Sequence, residues 1–98
     1  DKEAINLAAT QKLDWLMTRL TRHSRDTKLL HLICEFLRVC QVLPLNLNVW
    51  RAQNIYFSMA QRLYPKIKGL AEQGDKDAQF WILKFEQLSK FLRVHHRP

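Results

Sequence analysis

What most limits this chain is how seldom it can turn. Two glycines, Gly69 and Gly74, and three prolines, Pro44, Pro65 and Pro98, are spread over 98 residues. Between them run stretches whose apolar residues recur at intervals of three and four. Few breakers mean long regular elements joined by short connections, and the apolar period makes those elements helices. The expected fold is all-α: an irregular antiparallel bundle of four or five helices, forming a single helical domain over residues 1–98. Hydrophobic residues at 47% and charged residues at 26% are an ordinary globular balance. A chain of this length buries well over half of its unfolded surface, so one core suffices without disulfides.

The first helix is expected from Lys2 to Arg22, with Ile5, Ala9, Leu13, Leu16, Met17 and Leu20 facing inward. His23-Ser24-Arg25 interrupts the pattern. Asp26 or Thr27 then caps a second helix to about Gln41, with Leu29, Leu30, Ile33, Phe36, Leu37 and Cys40 as its core face, and Pro44 ends it. Asn48 suits the N-cap of a third helix from Val49 to about Tyr64. Pro65 either opens a short fourth helix through Gln73 or kinks a continuation of the third. Gly74 supplies a left-handed turn, Asp75 caps the last helix, and Asp77 sits near its positive dipole end. That helix would bury Ala78, Trp81, Ile82, Phe85, Leu88 and Leu92. Phe80, Leu83 and Phe91 fall outside the stripe, a width that suits a helix contacted on two sides or touching a neighbour outside the chain. The tetrapeptide FLRV occurs at Phe36 and again at Phe91, but the flanking residues do not repeat, so no internal repeat is inferred.

The same residues bound the chemistry. Ser24, Ser58, Ser89, Cys34 and Cys40 stand in no nucleophile motif, and cap, helix-surface and core roles account for them. His23 and His31 lie eight apart across a break, and His95-His96 sit in the tail, without the i, i+4 spacing of a helical zinc site. There is no Gly-rich phosphate loop, and no cofactor is expected. Cys34 and Cys40 are six apart on one helix and point in different directions, so a reducing compartment and a cytoplasmic location are the expectation. No apolar run is long enough to span a membrane. A chain that begins at Asp1 without Met is expected to be a piece of a longer protein.

Charge is a stronger signal. Sixteen Lys and Arg against nine Asp and Glu give +7. The basic residues gather at Arg19, Arg22, Arg25 and Lys28, again at Lys66 and Lys68, and finally at Lys84, Lys90, Arg93 and Arg97. A solvated or partner-facing surface explains them, since cations near helix C-termini oppose the dipole, and nucleic acid is the alternative partner.

Trp15, Trp50 and Trp81, with Tyr56, Phe57, Tyr64, Phe80 and Phe85, are expected to be mostly core. Trp50 and Phe80 are the exceptions, because they fall to the sides of their stripes. The segment LPLNLNVWRAQNIYF changes from alternating to helical spacing and then carries an amide pair, Gln53 and Asn54. A side-chain amide both donates and accepts, so either residue could satisfy the backbone of the irregular Leu43–Asn48 turn. The functional alternative is an amide that bonds sugar hydroxyls beside Trp50.

The run LPLNLNVWRAQNIYFSMAQRLYPKI, followed by AEQGDKDAQFWILKFEQLSKFLRV, resembles the C-terminal end of the domain of unknown function that follows the catalytic domain in a set of bacterial glycoside hydrolase family 57-like proteins. The likeness covers roughly residues 39–94. It lies in the Leu-x-Leu turn, in the helix bearing Gln53, Asn54, Tyr56 and Phe57, and in the closing Leu92 to Val94. It implies a non-catalytic accessory or interaction module of a larger, carbohydrate-active protein. The catalytic carboxylates would lie in an upstream domain, and the partner would be another domain of the parent protein, another protein, or carbohydrate. A helical protein-interaction scaffold or a basic nucleic-acid-binding domain is the alternative.

Overall fold

Among the described residues, aspartate side chains set where three of the five helices begin. The computed structural model describes residues 1–94; His95, His96 and Arg97, considered above, lie outside the described residues. Asp1 accepts from the Glu3 amide to open α1 (Lys2–Arg22), and Asp26 accepts from the Leu29 amide at 3.0 Å to open α2 (Thr27–Val42). Val49 occupies the cap position of α3 (Trp50–Arg62), so this helix starts one residue later than the sequence suggested. Asn48 still takes a free amide of the first turn, its Oδ1 accepting from Trp50 N at 3.1 Å.

Helix α4 (Tyr64–Glu72) has Pro65 in its first turn, where the missing N–H would be unpaired in any case. Leu63 N bonds to the Met59 carbonyl and Ile67 N to the Leu63 carbonyl, so hydrogen bonding runs on across the joint. The short fourth helix and the kinked continuation are thus one arrangement. Gly74, at φ +98°, reverses the chain, with Asp75 N on the Leu70 carbonyl and Gly74 N on the Ala71 carbonyl. Asp75 then caps α5 (Lys76–Phe91) through the Ala78 amide at 3.0 Å.

The pairs α1–α2 and α4–α5, each joined by a short connection, run antiparallel. Long-range contacts bring two further pairs together. Asn6 of α1 meets Asn46, and Thr10 meets Asn48, at the head of α3, so α1 and α3 lie side by side in the same direction. Ser24 meets Trp81, and Cys34 meets the Lys84 carbonyl, so α2 and α5 do likewise. The Leu43–Val49 connector therefore crosses one end of the bundle to carry the chain from the α2 side to the α1 side. The result is an elongated body of 49 × 23 × 20 Å.

The core centres on a ring stack. Phe85 lies between Tyr56, at 4.3 Å and 12°, and Trp81, at 4.5 Å and 15°. All three are buried, and the Trp81 indole N–H donates to the Ser24 carbonyl at 2.7 Å, fastening α5 to the α1–α2 connection. Ala9, Leu13, Leu16, Met17 and Leu20 of α1 are buried as the periodicity predicts. Ile5 is 53% exposed instead, because the connector packs on the Asn6–Thr10 side of α1, a 100° step around the helix. On α2 the core includes Cys34, which sequence reasoning left out of the stripe, while Phe36 is only half-buried. Leu83 and Phe80 are exposed on α5, and Ile82 is half-buried.

Candidate functional site

Gln53 and Asn54 lie in the first turns of α3, just past the irregular Leu43–Val49 connector. The irregular connector does not use them. Leu45 N donates to the Cys40 carbonyl at 2.9 Å, Asn46 N to Asn6 Oδ1 at 2.9 Å, and Asn48 N to Thr10 Oγ1 at 3.1 Å. Helix α1, with the Cys40 carbonyl of α2, thus supplies the acceptors that the sequence assigned to Gln53 or Asn54. Gln53 Nε2 instead donates to the Leu92 carbonyl at 2.7 Å and ties the head of α3 to the end of α5. Its role is structural, but toward a different partner, 39 residues away in sequence. Asn54 is exposed.

This separates the pair experimentally. Gln53→Leu leaves a partly buried carbonyl without its donor and is expected to cost about 1–3 kcal/mol, whereas Asn54→Leu should stay within about 0.5 kcal/mol. Chemical denaturation of both variants beside wild type checks it.

Asn54 belongs to a groove between α1 and α3. That groove is lined by Thr18, Thr21, Trp50, Arg51, Asn54, Ile55, Ser58 and Arg62, and a second hollow, on α1 alone and sharing Thr18 with it, is lined by Trp15, Thr18, Arg19, Arg22 and His23. Trp50 is 69% exposed and Trp15 55%. Lys12 Nζ stands 4.8 Å from the Trp15 ring centre and Arg19 5.7 Å from it. Arg62 Nε donates to Ser58 Oγ at 3.3 Å. No carboxylate lines either, and Asp14, the acid nearest in sequence, is half-buried. Among the described residues the one ion pair is Arg38 with Glu35, so the groove's arginines are not neutralised by an acid.

The structure therefore places Trp50 and Asn54 in the groove and Arg19 and Arg22 in the adjoining hollow on α1, and leaves the other candidates elsewhere. Arg25 and Lys28 are exposed around the start of α2, and Lys66 is exposed on α4. Lys68 donates to Tyr64 Oη at 3.3 Å, and that hydroxyl donates to Glu86 Oε2 at 2.8 Å, so Lys68 serves a helix–helix contact. Phe80, 41% exposed, sits on α5 against His31 and beneath the Lys84 ammonium, apart from the groove. Sequence reasoning missed Trp15, Arg51 and Arg62. A signal was present: Trp15, Thr18, Arg19 and Arg22 share one face of α1, and Arg51, Asn54, Ser58 and Arg62 one face of α3.

The cysteines are poor nucleophiles. Both are buried free thiols, and Cys34 Sγ lies 3.4 Å from the Lys84 carbonyl oxygen. Burial pushes the Cys34 thiol up to about 11, with the Lys84 charge acting against it, and also raises Cys40. Burial likewise pushes the Tyr56 hydroxyl up to about 12, although its bond with Ser89 acts the other way. Above pH 9 the unfolded chain sheds the Cys34 proton while the folded chain keeps it. Stability is therefore expected to fall as pH rises from about 9 to 11, with Tyr56 extending the loss upward. At pH 8, alkylation of the native protein should be far slower than that of the denatured protein, which a time course by mass spectrometry checks.

Among the described residues no three His, Cys, Asp or Glu side chains converge on a point a metal ion could occupy, and no helix is long and apolar enough to cross a membrane. Compared with protein-family models, curated proteins and solved structures, the chain matches none.

Proposed function

We propose that the chain is a non-catalytic helical accessory module that packs against another part of a larger, carbohydrate-active bacterial protein. The observation that carries this is the apolar end of the bundle. Where α1 begins and α2 finishes, Ile5, Leu7, Val42 and Leu43 are 53, 60, 70 and 59% exposed. Large apolar side chains gathered around one end of a small domain favour burial against a neighbour. The Leu-x-Leu turn at this end belongs to the stretch that resembles the region behind the catalytic domain of family 57-like glycoside hydrolases, which makes the rest of such a protein the expected neighbour.

The test uses the full-length parent protein. Val42→Asp with Leu43→Asp should leave the isolated domain within about 0.5 kcal/mol of wild type, because both positions are exposed. In the parent it should split or lower the melting transition as the module comes away. An unchanged parent would count against the reading. So would glucan hydrolysis by the isolated domain that a substitution within the domain abolishes.

A further inference from the structure

The groove between α1 and α3 lies apart from the apolar end and has a different chemistry. Along α3 it runs from Trp50 to Arg62, about 18 Å at the helical rise. Arg51, Arg62 and the exposed Trp50 line it, the adjoining hollow on α1 adds Arg19, Arg22 and the exposed Trp15 across Thr18, and no carboxylate lines either. Among the described residues no acid pairs with these arginines, so water and salt ions balance them in the free protein, and a polyanion that displaces those ions gains by doing so. An anionic ligand is therefore favoured over a neutral sugar, which would gain from the rings but leave the arginines unanswered.

The rings narrow the class further. Trp15 has cations within 4.8 and 5.7 Å of its ring centre, which places positive charge beside a flat apolar surface. Charged grooves that track a phosphate backbone, with aromatic rings on which successive bases stack, are how single strands are held without regard to sequence. An acidic peptide would meet the arginines but has no flat group for each ring. In a duplex the bases are already stacked on one another, and α1 and α3 lie side by side, so neither projects alone to enter a groove. We propose that the α1–α3 groove and the hollow beside it on α1 together bind single-stranded nucleic acid, with phosphates on Arg19, Arg22, Arg51 and Arg62 and bases stacked on Trp15 and Trp50. The inference does not depend on the accessory role, since no residue of the apolar end takes part in it.

The experiment is a titration of the purified domain with a short oligothymidylate, about a dozen nucleotides long, read by anisotropy of a labelled strand and by intrinsic tryptophan fluorescence. Trp81 is buried, so quenching should report Trp15 and Trp50. Binding should weaken as salt rises, with a log–log slope of about −3 if four phosphates are neutralised, and Arg51→Ala should make the slope shallower by about 0.7. Trp50→Ala and Trp15→Ala should each weaken binding roughly tenfold. Both rings are more than half exposed, so the variants should melt as wild type does. Lys66→Ala, on the far side of the α3–α4 joint, should change nothing. An abasic strand, a duplex, heparin and polyglutamate should all bind more weakly than the oligothymidylate. The proposal is overturned if no strand binds at about 50 mM salt, or if the tryptophan variants bind like wild type. Equal binding of the abasic strand, duplex or heparin would reduce the groove to a general polyanion patch, and tighter binding of polyglutamate would assign it to an acidic protein.

Discussion

Phe85→Ala is expected to remove about 3–5 kcal/mol of stability, the largest loss of any single substitution considered for this domain. The phenyl ring is fully buried and stacked on both faces, by Tyr56 at 4.3 Å and by Trp81 at 4.5 Å, with Tyr64 at 5.9 Å. Truncation removes the ring's own transfer free energy. It also leaves a cavity between two rigid aromatic neighbours that cannot easily close on it, because they belong to different elements: Tyr56 on α3 is held by packing, and Trp81 is pinned through its indole nitrogen. A domain of this size has about 5–15 kcal/mol in all, so the variant should sit near its unfolding threshold and melt more than about 12 °C below wild type. Phe85→Leu fills part of the space and should lose clearly less. Urea denaturation and thermal melting monitored by circular dichroism read both variants, and an alanine variant within about 1 kcal/mol of wild type would mean that the stack is not the centre of the core.

Trp81→Phe is expected to cost about 2–4 kcal/mol, for a different reason. The benzene ring retained by phenylalanine preserves most of the stacking with Phe85. What disappears is the indole N–H that donates to the Ser24 carbonyl at 2.7 Å, together with the volume of the second ring. The carbonyl is partly buried in the connection between α1 and α2, so it loses a donor that water replaces poorly. This bond joins residues 57 apart in sequence and holds the start of α5 to the first helical hairpin. The local consequence is therefore as informative as the global one: hydrogen exchange in the His23–Asp26 connection should quicken more than in α4, which the lost bond does not join. Uniform acceleration across all helices would indicate that only packing, and not this tether, was lost.

Much of the architecture could be read before any coordinates. Asp26, Asp75 and Gly74 act as the caps and turn their types suggest, because capping is a local matter of one side chain and the free amides or carbonyls within a turn of it. The buried faces of α1 and α5 were largely legible for the same reason: a 3.6-residue period places apolar groups on one side whatever lies opposite. Pro65 marked the α3–α4 joint through the N–H it lacks.

Tertiary structure decided the rest. Whether Ile5 was core depended on which side of α1 the connector would cross, and the connector took the side bearing Asn6 and Thr10. Periodicity along one helix carries no information about that choice. The partners of Gln53 and of the connector amides were likewise invisible, since each bond spans 38 to 40 residues and any of several amides or hydroxyls could have served. The groove is the clearest case. Trp15 and Arg19 on α1, and Trp50 and Arg51 on α3, each look like ordinary surface or core residues in their own segment. Trp50 and Arg51 come to border Thr18 and Thr21, next to the hollow of Trp15 and Arg19, only because α2 returns the chain and the Leu43–Val49 connector lays α3 alongside α1 in the same direction. The sequence determined the helices and their apolar stripes, because those follow from local backbone chemistry and spacing. Which charged and aromatic faces were left beside one another was settled by how the stripes paired, a property of the whole chain.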